Sequence, residues 1–409
     1  VSSYKFLKNK SDVYLFDDNQ KNNFKLKKKI IKLEQIQKIN FDRIIISPGI
    51  DISNCKLSNF LKKNFSKIYT DLDIFYSFYK NDSITITGTN GKSTTAKILH
   101  DVLLDQKKDV RLTGNIGNPI LLEKKITKKT IFVIEASSYQ LDYSKIFRSK
   151  YAMILNLSSD HIERHKSLKN YINAKFKLLE SQTSKCFAYV KKNDELINKK
   201  LKSKKLKTKI VKVDIKKFDK FLKKIKNNYF LTDSNKENLS FVIAISKKLK
   251  LKKNLLFKTI QKFKGLKYRQ QIIFKKKNLM IINDSKSTSF SSSISILKTS
   301  RNIFWLVGGI FKKGDKFKLG KKNLKNVRAF IYGKNRKFFN KELKKKVKTK
   351  NFRNLSNAVK NIFSLIKNEN LDTNTILFSP CAASFDSFKN FEDRGLYFNK
   401  LIKSFLNGI

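Results

Sequence analysis

Short apolar runs, each followed by a polar turn and an amphipathic stretch, recur along the whole chain. Runs at Ser83–Thr87, Thr130–Glu135, Ala152–Leu157, Phe187–Val190 and Ile210–Val213 predict strands, and Tyr171–Glu180 predicts a helix. Before them, Val13–Phe16 and Arg43–Ile46 predict short strands among lysine-rich helical segments, the second closed by the turn Ser47-Pro-Gly49. After them, Leu279–Ile282, Ile303–Val307, Ala329–Tyr332 and Thr375–Phe378 predict four more strands. Helices are expected at Leu355–Lys367 and from about Phe391. Strands alternating with helices predict α/β domains with parallel sheets, whose ligands lie at the strand C-ends. A glycine after a helical segment, Phe263-Lys-Gly-Leu266, marks a boundary, so residues 1–70, 71–264 and 265–409 are expected to be three domains. The chain opens on a helical Val1–Lys8, then the strand Asp12–Phe16 and the acidic pair Asp17-Asp18. That order reads as the second half of a βαβ unit whose first strand is expected before Val1. The low-complexity tract Lys199–Lys226 is expected to be solvated surface.

Composition changes this picture little. A chain of 409 residues with 40% hydrophobic and 12% aromatic content is long and apolar enough for several cores. The net charge of +59 raises the question of nucleic acid, yet only ten of the 91 basic residues are Arg, the better residue for bidentate phosphate and base contacts. The lysines run from Lys5 to Lys403 without forming one stripe. Together with abundant Asn, Ile and Phe they read as the drift of an A+T-rich genome onto solvated positions, so no nucleic-acid partner is expected. The field can still recruit anionic substrates. Cys55, Cys186 and Cys381 are far apart, without metal-ligand spacing, as suits a reducing compartment. No run approaches the ~18 apolar residues of a spanning helix, and no signal-peptide core is present. A cytoplasmic, membrane-free monomer is expected.

The candidate chemistry starts at Ser83-Ile-Thr-Ile-Thr-Gly-Thr-Asn-Gly-Lys-Ser-Thr-Thr95. A strand running through a glycine-rich turn into a helix is a phosphate cradle. Gly88 and Gly91 allow close backbone approach, and the helix start favours negative charge. Lys92 adds a cation, and Ser93 can bind Mg²⁺. The spacing departs from the strict phosphate-loop pattern, because Ile86 stands where the first Gly would be; a tight turn carrying Lys-Ser is the plain alternative. Glu135 ends an apolar strand before Ala-Ser-Ser-Tyr-Gln140, where it can hold Mg²⁺ or simply cap the next segment. Asp160 and His161 follow another strand, His161 as a metal ligand, a substrate contact or a structural histidine. Lys175, read alone, is a surface lysine. Three polar strand ends follow: Asp284-Ser-Lys286-Ser-Thr288, Gly308-Gly-Ile-Phe-Lys312, and Ser379-Pro-Cys-Ala-Ala-Ser384-Phe385-Asp386 with Phe391-Glu-Asp-Arg394-Gly beyond. In one sheet they converge on one edge, and two lysines there imply an anionic ligand.

Together these segments resemble the Mur ligase family, and within it the members that add D-glutamate. The resemblance rests on Ser47-Pro-Gly, Gly88 to Thr94, Gly114-Asn-Ile-Gly117, Glu135 to Leu141, Leu155-Asn through His161, and Tyr171 to Lys175. It continues through Gly265 to Arg269, Asn283 to Lys286, Gly308-Gly, and Ser379 through Gly395, in family order. It implies an N-terminal Rossmann-like UDP-binding domain, a central phosphate-loop-type ATPase domain and a C-terminal Rossmann-like domain for the amino acid. It implies an amide ligase of peptidoglycan precursor synthesis, joining D-glutamate to UDP-N-acetylmuramoyl-L-alanine through an acyl phosphate, with ATP and Mg²⁺.

Residue by residue, the resemblance implies that Gly88, Thr89, Asn90, Gly91, Lys92, Ser93 and Thr94 hold ATP phosphates, with Asn238, Arg269 and Asp284 as further ATP contacts. Ser93, Glu135, His161 and a carbamylated Lys175 would hold magnesium; Lys92, Lys175 and His161 would be catalytic. Asn115 would meet the UDP-sugar, and Lys286, Thr288, Lys312, Ser384, Phe385 and Phe391 the D-glutamate. Asp18 and Asn19 would suit the uridine side. The family's N-terminal glycine-rich turn is not found. Asn238 is read as the first Asn of an Asn-x-x-Asn segment near adenine, with Phe241 at the second position. Another ligase of this architecture, including the folate type, is the alternative. The Asp-Asn-Pro-Arg pattern of the diaminopimelate-adding members is absent, and Ser379 to Gly395 favours D-glutamate.

Overall fold

The computed structural model describes residues 1–17, 30–276, 278–299, 302–312, 314–369 and 373–406. Asp18 and Asn19 lie outside them. Contacts group the chain into two units. The first holds 1–157, 164–214 and 244–256; the second holds 158–163, 215–243 and 257–409.

In the first unit the short strands β1 (Ile44–Ile45) and β2 (Ile68–Tyr69) pair in parallel. Six further strands form one parallel sheet: β3 (Ser83–Thr87), β4 (Val110–Gly114), β5 (Ile131–Glu135), β6 (Tyr151–Ile154), β7 (Phe187–Lys191) and β8 (Lys209–Val213), in the order β4-β5-β3-β6-β7-β8. Every residue of the central β3 is buried, as a strand covered on both faces requires. Phe75 and Phe132 meet at 4.7 Å in the core, with Ile134, Ile154, Phe176 and Leu179 around them.

The second unit carries another six-stranded sheet: β9 (Gln271–Lys276), β10 (Leu279–Asn283), β11 (Ile303–Gly308), β12 (Val327–Tyr332), β13 (Lys348–Asn351) and β14 (Asn374–Phe378). The order is β13-β12-β11-β14-β10-β9, parallel except for the β9–β10 hairpin. Side chains alternate along β11. Trp305 and Val307 enter one core with Phe290 and Phe339, while Phe304 and Leu306 enter the other with Phe378 and Phe398.

The expected α/β architecture with parallel sheets is present. Four strands escaped the sequence reading: the two-residue β2, and the sheet edges β4, β9 and β13. These edges bear charged or polar residues, so none shows a long unbroken apolar run. Conversely, the expected strand Asp12–Phe16 reduces to one parallel bridge, Leu15 to Ile30. An apolar run becomes a strand only where it finds a ladder partner. Within Lys199–Lys226, β8 is an exposed edge strand, anchored by buried Val213 and followed by buried Phe218.

A buried carboxylate organises the entry to the first sheet. Asp73 is fully buried near the start of the helix Asp71–Phe78. Its Oδ2 accepts from the Thr70 amide and hydroxyl, each at 3.0 Å. Its Oδ1 accepts from the Ser144 hydroxyl at 2.9 Å and from the amides of Lys145, Ile146 and Phe147 at 3.0, 2.9 and 2.9 Å. Asp73→Ala strands several buried donors at once. It should destabilise the protein by about 3 kcal/mol or more, with Asp73→Asn in between, read from urea unfolding.

Candidate active site

The turn after β3 is held open by its neighbours. Gly88 has φ +145°, and a Cβ there would come within 3.2 Å of Leu155. The Thr89 amide donates to the Asn156 carbonyl and the Asn90 amide to Asn156 Oδ1, both at 2.9 Å. Gly91, in the left-handed region, caps the helix Lys92–Asp105, whose first turn buries Ser93 and Thr94. The half-buried Lys92 folds back so that its Nζ donates to the carbonyls of Gly88 and Thr89, at 2.9 and 2.8 Å. The cradle expected from the sequence is therefore built: a helix start, a free-turning glycine and an ammonium at one point.

Lys175 is not a surface lysine. The helix Leu168–Glu180 presents Tyr171 and Lys175, four residues apart, on one face. Both are 1% exposed. The Tyr171 hydroxyl meets Thr89 Oγ1 at 3.1 Å, and Lys175 Nζ donates to the Gly88 carbonyl at 2.9 Å and to Thr87 Oγ1 at 3.3 Å. Two ammonium groups thus converge on one carbonyl oxygen, that of Gly88.

Glu135, at the end of β5, is in register with Ile86 of β3 and Gly114 of β4. A Cβ at Gly114 would stand 2.3 Å from the Glu135 carbonyl oxygen. This close approach lets the Asn115 amide donate to that oxygen at 2.9 Å, and Asn115 Nδ2 to Glu135 Oε1 at 3.2 Å. Glu135 is 1% exposed, and its Oε2 has no hydrogen-bond partner. A buried carboxylate oxygen without a donor is chemically suited to a hard divalent cation such as Mg²⁺. Among the described residues no group of three or more His, Cys, Asp or Glu side chains has metal-binding geometry, so such a cation would rely on ligands beyond these residue types.

The second unit contains His161, at φ +53°, 3.4 Å from Asp160 and 3.6 Å from Glu163. Lys312 pairs with the same Asp160 at 2.8 Å. The strands β10, β14 and β11 are neighbours, so their polar C-ends meet as expected. Asp284, after β10, accepts from the Ser379 hydroxyl at 2.9 Å and the Gln270 amide at 3.1 Å. Burial raises its carboxyl to about 7, against those two hydrogen bonds and the nearby Arg269 and Arg394 charges. Two cations flank the Phe391 ring, Lys286 at 4.1 Å and Arg269 at 6.0 Å. Ile310 and Ala383 exchange backbone hydrogen bonds of 3.1 and 2.9 Å, which joins the loop of Lys312 to that of the buried Ser384. Thr288 is half-buried, and Phe385 is 72% exposed.

A family model, the Mur ligase middle domain, matches residues 86–259. Curated relatives match nearly the whole chain. The UDP-N-acetylmuramoylalanine–D-glutamate ligase of Rickettsia prowazekii is 32% identical over 431 residues, 98% of this chain and 95% of its own. That of Francisella tularensis subsp. novicida is 33% identical over 372 residues, 89% of this chain and 86% of its own. The chain belongs to the Mur ligase family. Solved structures agree in fold. MurF from Acinetobacter baumannii superposes with a TM-score of 0.59 at 17% identity, over 81% of this chain and 79% of that one. MurC from Thermotoga maritima gives 0.55 at 16% identity, over 100% and 96%. MurF from Thermotoga maritima, solved with ADP, gives 0.56 at 13%, over 89% and 98%.

Two residues of this Mur ligase were missed in the sequence. Asn156 stood inside the quoted Leu155-Asn segment, yet its hold on the phosphate turn appears only in three dimensions. Asn235 was overlooked through register. Asn235-Lys-Glu-Asn238 is itself an Asn-x-x-Asn pair, so Asn238 is the second member and not the first. Both are buried, with Asn238 Nδ2 donating to Asn235 Oδ1 at 3.4 Å. Phe241 is a core residue at 1% exposure, and its place in the pattern is no departure.

The raised Asp284 carboxyl sets a pH signature. The folded protein keeps this proton up to about 7 while the unfolded chain releases it near its ordinary value of 3.8, so folding binds a proton between these limits. This group's contribution therefore falls as pH rises through that window. Asp284→Asn cannot ionise, so its melting temperature relative to the parent should climb from pH 5 to pH 8. A constant difference across that range would contradict a buried, protonated Asp284.

Proposed function

We propose that this Mur ligase joins D-glutamate to UDP-N-acetylmuramoyl-L-alanine with hydrolysis of ATP to ADP and phosphate, in peptidoglycan precursor synthesis. The observation that carries the reading is the Lys92 ammonium at the Gly88 turn and helix start, with the buried Lys175 reaching the same carbonyl, in a chain similar over 98% of its length to a curated D-glutamate ligase. Such a turn, with its ammonium and helix N-terminus, calls for a polyanion. The ADP carried by the Thermotoga maritima MurF structure supports a nucleotide as that polyanion.

In this reading the turn from Gly88 to Thr94 grips the triphosphate through backbone amides and Lys92. Asn235, Asn238, Arg269 and Asp284 bind the rest of the nucleotide. Ser93, Glu135, His161 and Lys175, the last as a carbamate, would hold Mg²⁺, which would supply positive charge to offset that of the phosphoryl oxygens. Asn115 contacts the UDP-substrate, whose carboxylate attacks the γ-phosphorus. Lys92 stabilises the charge that develops, so the protein works by placement and electrostatics. Lys286, Thr288, Lys312, Ser384, Phe385 and Phe391 present the D-glutamate amine to the acyl phosphate, and phosphate leaves. Domains at 1–70, 71–264 and 265–409 would take UDP-substrate, ATP and amino acid in turn. The reading further assigns a cytoplasmic monomer serving cell-wall growth and division, without nucleic-acid or membrane partners. Among the described residues no helix is long and apolar enough to cross a membrane.

Purified protein given ATP, Mg²⁺ and UDP-N-acetylmuramoyl-L-alanine should release phosphate only when D-glutamate is added. Release driven equally by L-glutamate, diaminopimelate or no amino acid would overturn the assignment. Lys92→Ala should lower kcat by about 10²-fold or more, the scale of a lost transition-state donor. Lys175→Ala should lose activity and regain part of it with added short carboxylates. A normal rate in that variant would exclude a carbamate role.

A further inference from the structure

We propose that Arg394 is a positioning residue of the amino-acid pocket, locking the segment that bears Lys286 to the loop that bears Ser384. The inference rests on the reading of the second unit as the D-glutamate site and assigns a task to a residue given none so far.

Arg394 lies in the first turn of the helix Phe391–Leu406 and is 1% exposed. Its guanidinium spans two strand ends. Nε donates to Ser285 Oγ at 3.1 Å and Nη2 to the Ser285 carbonyl at 2.6 Å, just after β10. Nη2 also donates to the Ala382 carbonyl at 3.0 Å, in the loop after β14. A third strand end lies alongside, since a Cβ at Gly309, after β11, would stand 3.4 Å from Nη1. One planar fork thus joins the C-ends of two adjacent strands beside a third, which a flexible ammonium cannot copy.

Its neighbours complete a closed circuit. The Ser285 hydroxyl that receives Nε donates to the Phe391 carbonyl at 2.8 Å. Asn283 Nδ2 donates to the Gly395 carbonyl at 2.9 Å and to Asn399 Oδ1 at 2.7 Å. A Cβ at Gly395 would fall 2.3 Å from the Tyr268 ring, and the Tyr268 carbonyl takes the Lys286 amide at 3.0 Å. Lys286 and Phe391 are therefore fixed from one side of Arg394, and Ala382, two residues before Ser384, from the other.

The choice of a charge is informative. No carboxylate among the described residues lies within ion-pair distance of Arg394, its partners are neutral oxygens, and Nη1 has no acceptor. Burying this cation carries a stability cost that the more distant Asp386 and Asp284 carboxyls offset only in part. It also leaves a positive field beneath a pocket read as taking a dicarboxylic amino acid, in line with Lys286 and Lys312.

The test is steady-state kinetics of Arg394→Lys, Arg394→Met and Ser285→Ala, with each substrate varied in turn and melting temperatures recorded. The expected result is a KM for D-glutamate raised at least tenfold in Arg394→Met, less in Arg394→Lys and Ser285→Ala. KM for ATP and for UDP-N-acetylmuramoyl-L-alanine should stay within twofold of the parent. Partial recovery in Arg394→Lys separates charge from fork geometry. A lowered melting temperature with the D-glutamate KM unchanged, or all three KM values rising together, would overturn the proposal and leave Arg394 a fold residue. If the Arg394 variants do not fold, Ser285→Ala decides alone on the same criterion. Failure of the parent to use D-glutamate at all would overturn the functional reading itself, a different outcome.

Discussion

One backbone carbonyl, that of Gly88, sets the terms for the first unit. Lys92 and Lys175 each place an ammonium 2.9 Å from it, so the two nitrogens can be no more than about 6 Å apart. At that separation two like charges repel by about 3 kcal/mol for an effective dielectric of about 20. The fold accepts this because everything around the turn is committed to it. Asn156 pins Asn90, Tyr171 pins Thr89, and only a glycine can sit at residue 88 against Leu155. An anion at the turn relieves the repulsion, and so does conversion of one lysine to an anionic carbamate. The Tyr171–Lys175 spacing acquires its meaning here: one helical turn lets one residue steady the cradle while the other charges it.

The second unit solves a different problem, that of bringing loops from three strands to one place. Parallel pairing of β11, β14 and β10 puts their ends side by side, but it does not fix the loops that follow. Hydrogen bonds across the loops do that. Ser293 meets Ser379 at 2.6 Å, Ser379 donates to Asp284 at 2.9 Å, and Arg394 ties Ser285 to Ala382. Burial raises the Asp284 carboxyl to about 7, which favours its neutral form at the centre of this network, where a bare carboxylate would be costly.

Much of this was legible in the chain, and the failures have physical causes. The central strands announce themselves because a strand buried on both faces runs mostly apolar, as Ile303–Val307 does without a break. The edge strands β4, β9 and β13 are covered less completely and carry no such mark. The strand–turn–helix geometry at Gly88–Lys92 is a local object, and its glycines mark it in the chain. Lys175 was readable only by likeness, since in a chain with this many lysines nothing local distinguishes a buried one. Asn156 and Arg394 act on partners 66 and 109 residues away, and no pattern along the sequence encodes such a bond. The slip at Asn235 was of another kind: the signal was present and was read one helical turn out of register.

Buried charge separates scaffold from machinery in this enzyme. Asp73 and Glu135 are both carboxylates in the first unit, and both are essentially inaccessible. Asp73 is saturated by six donors, and every one comes from a backbone amide or hydroxyl that needed an acceptor anyway. It holds two loops and has no capacity left for a ligand. Glu135 has one donor on Oε1 and none on Oε2. Folding alone gives no reason to bury an acid so poorly served, because the desolvation of that oxygen is uncompensated. The same contrast marks Arg394 against Arg164, whose guanidinium meets Asp51 at 3.1 Å and the Tyr143 hydroxyl at 2.8 Å. The cation paired directly with a carboxylate braces one loop. The other gives its hydrogen bonds to neutral oxygens of two loops, Ser285 and Ala382, and so ties them together.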